Sequence, residues 1–427
     1  MATPSTGGPP PLPSGMRAGR FAALSYRNFT LLWTSLLISN AGTWMQNVAL
    51  GWWAVHLSHP ALAVGSLGAS QAIPMLTLPP LGGAIADRVN RLTLLKYTQT
   101  IMLVLAGAMA VLIGSGQAQL WQVLVINGLS AVVLAFDNPT RQAFVPDLVD
   151  RPALMSAISL NSTAYQGAAA VGPAVAGVLI PFIGVAGCLW ANAISFLAVL
   201  AALFLMNVPH ERRADMKPIG TELVGGFRYV WDTKIVLVLL VIATIAGLFG
   251  RSYSVLLPVF AKEVLHTGAS GFGGMQAMPG IGTFIGGFGL AAMGDVRRKG
   301  RLLLLSCLAF ASFVLCFALA RNYLLALVFL LAIGATSTVF GATTQTILQV
   351  EVPQWLRGRV MSLNAVTVIG MSQFGGFMIG VAATELGAPA AVALGAVIVA
   401  VGTAAVYAWN PLLRRYGAAQ PRVEMSV

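Results

Sequence analysis

Twelve apolar stretches of roughly 19–30 residues dominate this chain, each long enough as a helix to cross about 30 Å of hydrocarbon. They run over residues 30–57, 62–86, 92–114, 120–144, 154–182, 184–206, 235–260, 270–293, 302–320, 323–350, 360–384 and 387–409. Water demands a charged exterior, yet only 9% of the 427 residues are charged and 57% are hydrophobic. An ordinary soluble domain carries about 25% charged residues. This excludes a soluble enzyme, a disordered chain and a disulfide-rich secreted domain. A membrane β-barrel would show alternating segments of about 10 residues instead. The fold class that remains is an all-α integral membrane protein.

The net charge of +12 raises the question of nucleic acid. A nucleic-acid binder gathers its Lys and Arg on one folded surface. Here they flank the apolar stretches, as membrane topology requires. With a cytoplasmic N-terminus, 22 of the 25 Lys and Arg fall in the tails and in every second loop. The exceptions are Lys262 and Arg321 on the far side and Arg251 inside a stretch. The expectation is a multi-pass cell-membrane protein with both termini cytoplasmic, the lipid bilayer as its partner, and no nucleic acid. Cys188, Cys307 and Cys316 lie inside apolar stretches, and no Cys/His spacing suggests a metal. No cofactor is expected.

Residues 1–25 read as a disordered cytoplasmic tail, rich in Pro, Gly and Ser at the start. Residues 413–427 read as a second tail. Between the six-helix bundles expected over 26–207 and 234–412 lies a linker over 208–233. In it Leu223, Phe227 and Trp231 recur every four residues beside Arg228 and Lys234. That pattern predicts an amphipathic helix in the cytoplasmic headgroup layer, with a plain linker as the alternative.

The two halves are related. At a shift of 203, Ser159-Leu160-Asn161 meets Ser362-Leu363-Asn364, and Gly167, Gly172 and Gly177 meet Gly370, Gly375 and Gly380. Two parallel repeats imply pseudo-symmetric bundles about an axis along the membrane normal, with a substrate site near the midplane.

After the second stretch the chain reads Gly83-Ala-Ile-Ala-Asp87-Arg88-Val-Asn90-Arg91. This resembles the G-x-x-x-D-R-x-G-R loop of the major facilitator superfamily. The departure is Asn90 where Gly is usual; Asn tolerates a positive φ, so the turn is expected to survive. The resemblance implies that Gly83, Asp87, Arg88 and Arg91 form a cytoplasmic latch. Asp295, Arg297 and Arg298 after the eighth stretch form a looser echo. The alternative is that these are ordinary positive-inside charges.

Phe136-Asp137-Asn138-Pro139-Thr140-Arg141-Gln142-Ala143-Phe144-Val145-Pro146-Asp147 is more particular. With Ser25-Tyr26-Arg27-Asn28-Phe29, Gly172-Pro173 and Gly226-Phe227-Arg228-Tyr229-Val230, it resembles the enterobactin-exporter and drug-efflux branch of that superfamily, of transmembrane secretion effector type. The resemblance covers about residues 25–410. It implies secondary active export of a small amphipathic molecule, siderophore-like or drug-like, by alternating access with proton antiport. It also implies a monomer in a bacterial inner membrane. No Walker A motif is present to couple ATP directly.

Individual residues follow. Asp137 and Arg141 are spaced i, i+4 and suited to a self-neutralising pair at membrane depth. Two readings stand: a proton-coupling or gate pair, and a fixed structural ion pair. Arg251 either faces a substrate or a carboxylate, or snorkels to the outer headgroups. Asn40, Trp44, Gln46, Asn47, Gln166, Gln276 and Gln373 complete the candidate cavity set. Each taken alone reads more often as a packing or interhelical hydrogen-bond residue. Gly280-Ile-Gly282-Thr-Phe-Ile-Gly286 lacks the βαβ context of a dinucleotide loop and reads as close helix packing. Uptake of a small nutrient is the alternative function. A membrane receptor without transport and an integral membrane enzyme are weaker ones, the latter for want of converging catalytic groups.

Overall fold

The computed structural model describes residues 21–206, 208, 230–294, 296, 298–353, 356, 360, 361, 363, 364, 367 and 370–410. Residues 1–20 and 411–427 and most of the linker, with its expected amphipathic helix, lie outside the described residues; the end of the expected first tail, Ala22–Ser25, forms a short 3-10 helix with Ala23 buried. Among the described residues every regular element is helical. In chain order these are α1 (Arg27–Ala54), α2 (Pro60–Thr77), α3 (Pro79–Arg88), α4 (Arg91–Gly114), α5 (Leu120–Phe144), α6 (Leu154–Leu205), α7 (Lys234–Ile245), α8 (Tyr253–Val259), α9 (Ala269–Ala292), α10 (Lys299–Leu319), α11 (Tyr323–Glu351), α12 (Met371–Leu386) and α13 (Ala388–Trp409). Seven helical stretches among the described residues are long and apolar enough to cross a membrane. Helices suit this setting because they satisfy their own backbone hydrogen bonds where no water can.

Four of the expected stretches differ from plain, separate helices. The second divides into α2 and α3 at Leu78, because Pro79 occupies the first turn of α3 and has no N–H to continue α2. The fifth and sixth run on as the 52-residue α6, whose length exceeds twice a bilayer crossing. Gly184, at φ 70°, breaks it. The Trp33 indole N–H donates to Leu160 O, and Arg27 to Leu205 O. Both ends of α6 therefore reach the start of α1, so the chain doubles back at Gly184. Only glycine holds such a φ without strain. The seventh stretch is α7 and α8, interrupted by π turns at Ala246–Gly250 and Phe260–Val264. Such turns add a residue to the helical ladder and often mark functional sites.

Contacts group the chain into two units: Met1–Trp53 with Ile73–Met216, and Ala54–Ala72 with Lys217–Val427. In the first, Phe29, Leu36, Phe144, Leu148 and Leu203 form a buried core around the start of α1 and the end of α5. In the second, Phe260, Phe310 and Phe317 are fully buried, and the Phe260 and Phe317 rings lie 4.7 Å apart. There α9 and α11 meet through glycine: a Cβ on Gly282 would strike Leu331 O, and one on Gly286 would strike Ala335 O. The Gly280–Gly286 motif thus serves helix packing. Gly65 of α2 similarly lies against Gly376 and Gly380 of α12.

Candidate functional site

The first unit holds a buried carboxylate. Asp137 lies on α5, an inward-facing position of a helix rich in small residues, and has no solvent exposure. Its Oδ2 accepts from Arg141 one turn later, in the i, i+4 geometry the sequence suggests. Its Oδ1 accepts from Thr98 Oγ1 at 2.7 Å and from Gln99 Nε2 at 2.8 Å, both on α4. An unpaired charge at membrane depth costs at least about 2.5–3.5 kcal/mol. Three donors on one carboxylate answer that cost. Thr98 and Gln99 were not marked by sequence. They sit 39 and 38 positions away, and only the α4–α5 packing brings them to Asp137.

The motif before α4 is built around Arg91. Its Nη1 donates to Asp147 Oδ2 at 2.7 Å and to Ala143 O at 2.8 Å, tying the start of α4 to the end of α5. Arg88 is exposed, and the Asp87 side chain lies outside the described ones. The close approach in this motif belongs to Gly82, where a Cβ would strike Ala135 O; a Cβ on Gly83 would meet nothing within 4 Å. One residue turns a helix by about 100°, so only one of the two glycines can face α5. Asn90 does not use a positive φ either. At φ −64° it caps α4, its Oδ1 accepting from Thr93 N at 3.1 Å. Asn is a strong N-cap and Gly a weaker one, which accounts for the departure from the usual motif.

Two other sequence signatures meet here. Tyr26 Oη donates to Asp150 Oδ2 at 2.8 Å. Tyr26 and Phe29 pack with Val145, Leu148 and Val149. The Ser25–Phe29 and Phe136–Asp147 segments are therefore parts of one cluster. Burial first, then the Asp150 carboxylate, raises the Tyr26 phenol above its ordinary pKa.

The cavity candidates divide by environment. Gln46 is buried and accepts from Asn192 Nδ2 at 2.7 Å, linking α1 to α6. Trp44 is half-buried and meets the Tyr165 ring edge-on at 6.2 Å, while Asn47 and Gln166 are exposed and Asn40 is half-buried. Tyr165, 53% exposed, was missed for want of any motif around it. Arg251 is exposed directly after the first π turn. Gln276 and Gln373 are half-buried, the latter beside Gly68. Arg298 precedes α10, while Asp295 and Arg297 lie outside the described residues. Among the described residues no cluster of His, Cys, Asp or Glu fits a metal.

A family model described as transmembrane secretion effector matches residues 18–421. The chain belongs to this family of the major facilitator superfamily. The chain is 27% identical over 81% of its length to the Staphyloferrin A transporter of Staphylococcus aureus, 87% of which is covered. It is 22% identical over 78% of its length to the multidrug efflux pump Tap of Mycolicibacterium fortuitum, 83% of which is covered. It is 28% identical over 66% of its length to the enterobactin exporter EntS of Escherichia coli, 68% of which is covered. Its fold matches a bacterial homologue of the lysosomal transporter Spinster at TM-score 0.71 and 15% identity, covering 92% of this chain and 98% of that one. A bacterial homologue of ferroportin matches at TM-score 0.66 and 16% identity, over 88% and 98%. The chain is thus a multi-pass membrane transporter of small molecules with the major facilitator fold, and not an enzyme.

Proposed function

We propose that this transporter exports a small amphipathic molecule of siderophore or drug type, exchanging it for protons, with Asp137 as the coupling group. The observation that carries this reading is the burial of Asp137 under three donors from two helices. A carboxylate so placed changes the charge of the membrane interior when it gains or loses a proton. The printed functions of the relatives, staphyloferrin transport, enterobactin export and multidrug efflux, support an oxygen-rich or amphipathic cargo. On this reading Asp87, Arg88 and Arg91 belong to a cytoplasmic gate, echoed by Asp295, Arg297 and Arg298. Trp44, Asn47, Gln166 and Arg251 contact the cargo. The two repeats provide alternating access, and both termini are cytoplasmic. Cells expressing the protein are expected to release preloaded staphyloferrin A, enterobactin or a macrolide faster than cells lacking it. Equal release of every compound would overturn export.

A further inference from the structure

The hydroxyl of Thr98 has one proton and two acceptors within reach: Asp137 Oδ1 at 2.7 Å and its own helix's Leu95 O at 3.1 Å. That choice lets one hydroxyl serve the carboxylate in either protonation state. With Asp137 ionised, Thr98 donates to Oδ1, Gln99 Nε2 donates to Oδ1 and Arg141 donates to Oδ2. With a proton on Oδ1, the new O–H donates to Thr98 Oγ1. The hydroxyl of Thr98 then turns its own hydrogen to Leu95 O. The Gln99 and Arg141 bonds persist in both states, since each carboxyl oxygen keeps a lone pair for them. One O–H bond forms or breaks, the carboxyl passes between −1 and neutral, the Asp137–Arg141 pair passes between neutral and +1, and no heavy atom moves. Gln99 Oε1 is buried without a partner, as expected of an amide committed to the carboxylate through its nitrogen.

We infer that Thr98 is a positioning residue for the coupling proton: by reversing its hydroxyl it keeps Asp137 fully hydrogen-bonded in both protonation states. This rests on the reading of Asp137 as the coupling group. Other ionisable groups on the packed elements are engaged elsewhere or open to solvent. On α4, Arg91 is held by Asp147, and Lys96 lies over the Phe204 ring at 4.5 Å. On α3, Arg88 is exposed and the Asp87 side chain lies outside those described. On α5, Arg141 is the ion-pair partner itself.

The test uses the purified full-length protein in lipid and follows the carboxyl C=O band by infrared difference spectroscopy during a pH titration, without any cargo. Wild type is expected to show a protonated-carboxyl band that Asp137→Asn removes. Thr98→Val loses a charge-assisted bond in the ionised state and a weaker neutral bond in the protonated one. It should therefore bind the proton about tenfold more tightly. Its band should also move to higher frequency, because the carboxyl O–H has lost its acceptor. Thr98→Ser should restore both. Should Thr98→Val fail to insert, Thr98→Ala takes its place with the same expected result. A wild-type midpoint and frequency in the variant lacking the hydroxyl would overturn the role of Thr98 while leaving Asp137 in place. A band that Asp137→Asn does not remove would overturn the reading of Asp137, and the inference with it.

Discussion

Gly172 and Gly375, 203 positions apart, make the same helix contact in the two units. A Cβ on Gly172 would lie 2.8 Å from Ala41 O and 2.6 Å from Trp44 Cβ of α1. A Cβ on Gly375 would strike Leu248 O and Ser252 Oγ in the first π turn and just after it. A second pair at the same spacing, Gly184 at φ 70° and Gly387 at φ 81°, turns the chain after each of these helices. The repeat seen in the letters is thus a repeat of backbone contacts. In each contact one carbonyl, Ala41 O or Leu248 O, and one side chain, Trp44 or Ser252, meets the glycine.

Alanine at either glycine forces backbones apart that now touch. Gly172→Ala and Gly375→Ala are each expected to cost about 1–3 kcal/mol through overpacking. Gly167→Ala, in the same stripe with nothing within 4 Å of the new Cβ, is expected to be nearly neutral. Thermal unfolding of the three purified variants checks this. Equal loss in all three would remove the contact argument.

Arg91→Ala strips Asp147 Oδ2 and Ala143 O of a shared donor. The expected loss is about 1.5–3 kcal/mol, in the range for hydrogen bonds to charged groups. Asp147→Asn keeps an acceptor oxygen and should cost less than half as much. Urea or thermal midpoints of the two variants decide the order.

Tyr26→Phe removes the bond to Asp150 Oδ2 at an expected cost of about 1.5 kcal/mol. The pH dependence has a definite sign. Because the folded phenol's pKa is raised, its contribution is complete below the ordinary tyrosine value of about 10 and is lost as pH climbs through the raised one. Wild type should therefore lose stability at alkaline pH that Tyr26→Phe does not. Parallel alkaline melting curves would contradict this.

Much of this fold is legible in the residues, for physical reasons. Long apolar stretches announce themselves by composition, and the Asp137–Arg141 spacing is set by the helix alone. The breaks are harder. Pro79 ends α2 by a local rule, but the π turns around Arg251 answer to packing against Phe310 and Gly375, which no local pattern encodes. The choice between Gly82 and Gly83 depends on which face meets α5. Asn90 shows a substitution preserving the turn by another route, capping in place of a positive φ. Thr98 and Gln99 look like two unremarkable polar residues in an apolar helix until α5 is placed against them.

The central claim is proton-coupled export through Asp137. Reconstituted vesicles loaded with a pH-sensitive dye, given an imposed pH gradient and offered staphyloferrin A, enterobactin or a macrolide, measure it directly. The account predicts gradient-driven accumulation of cargo with matching proton movement. Both should vanish when a protonophore collapses the gradient, and both should be absent in Asp137→Asn at equal protein incorporation. Accumulation indifferent to the gradient, or undiminished in Asp137→Asn, would contradict it.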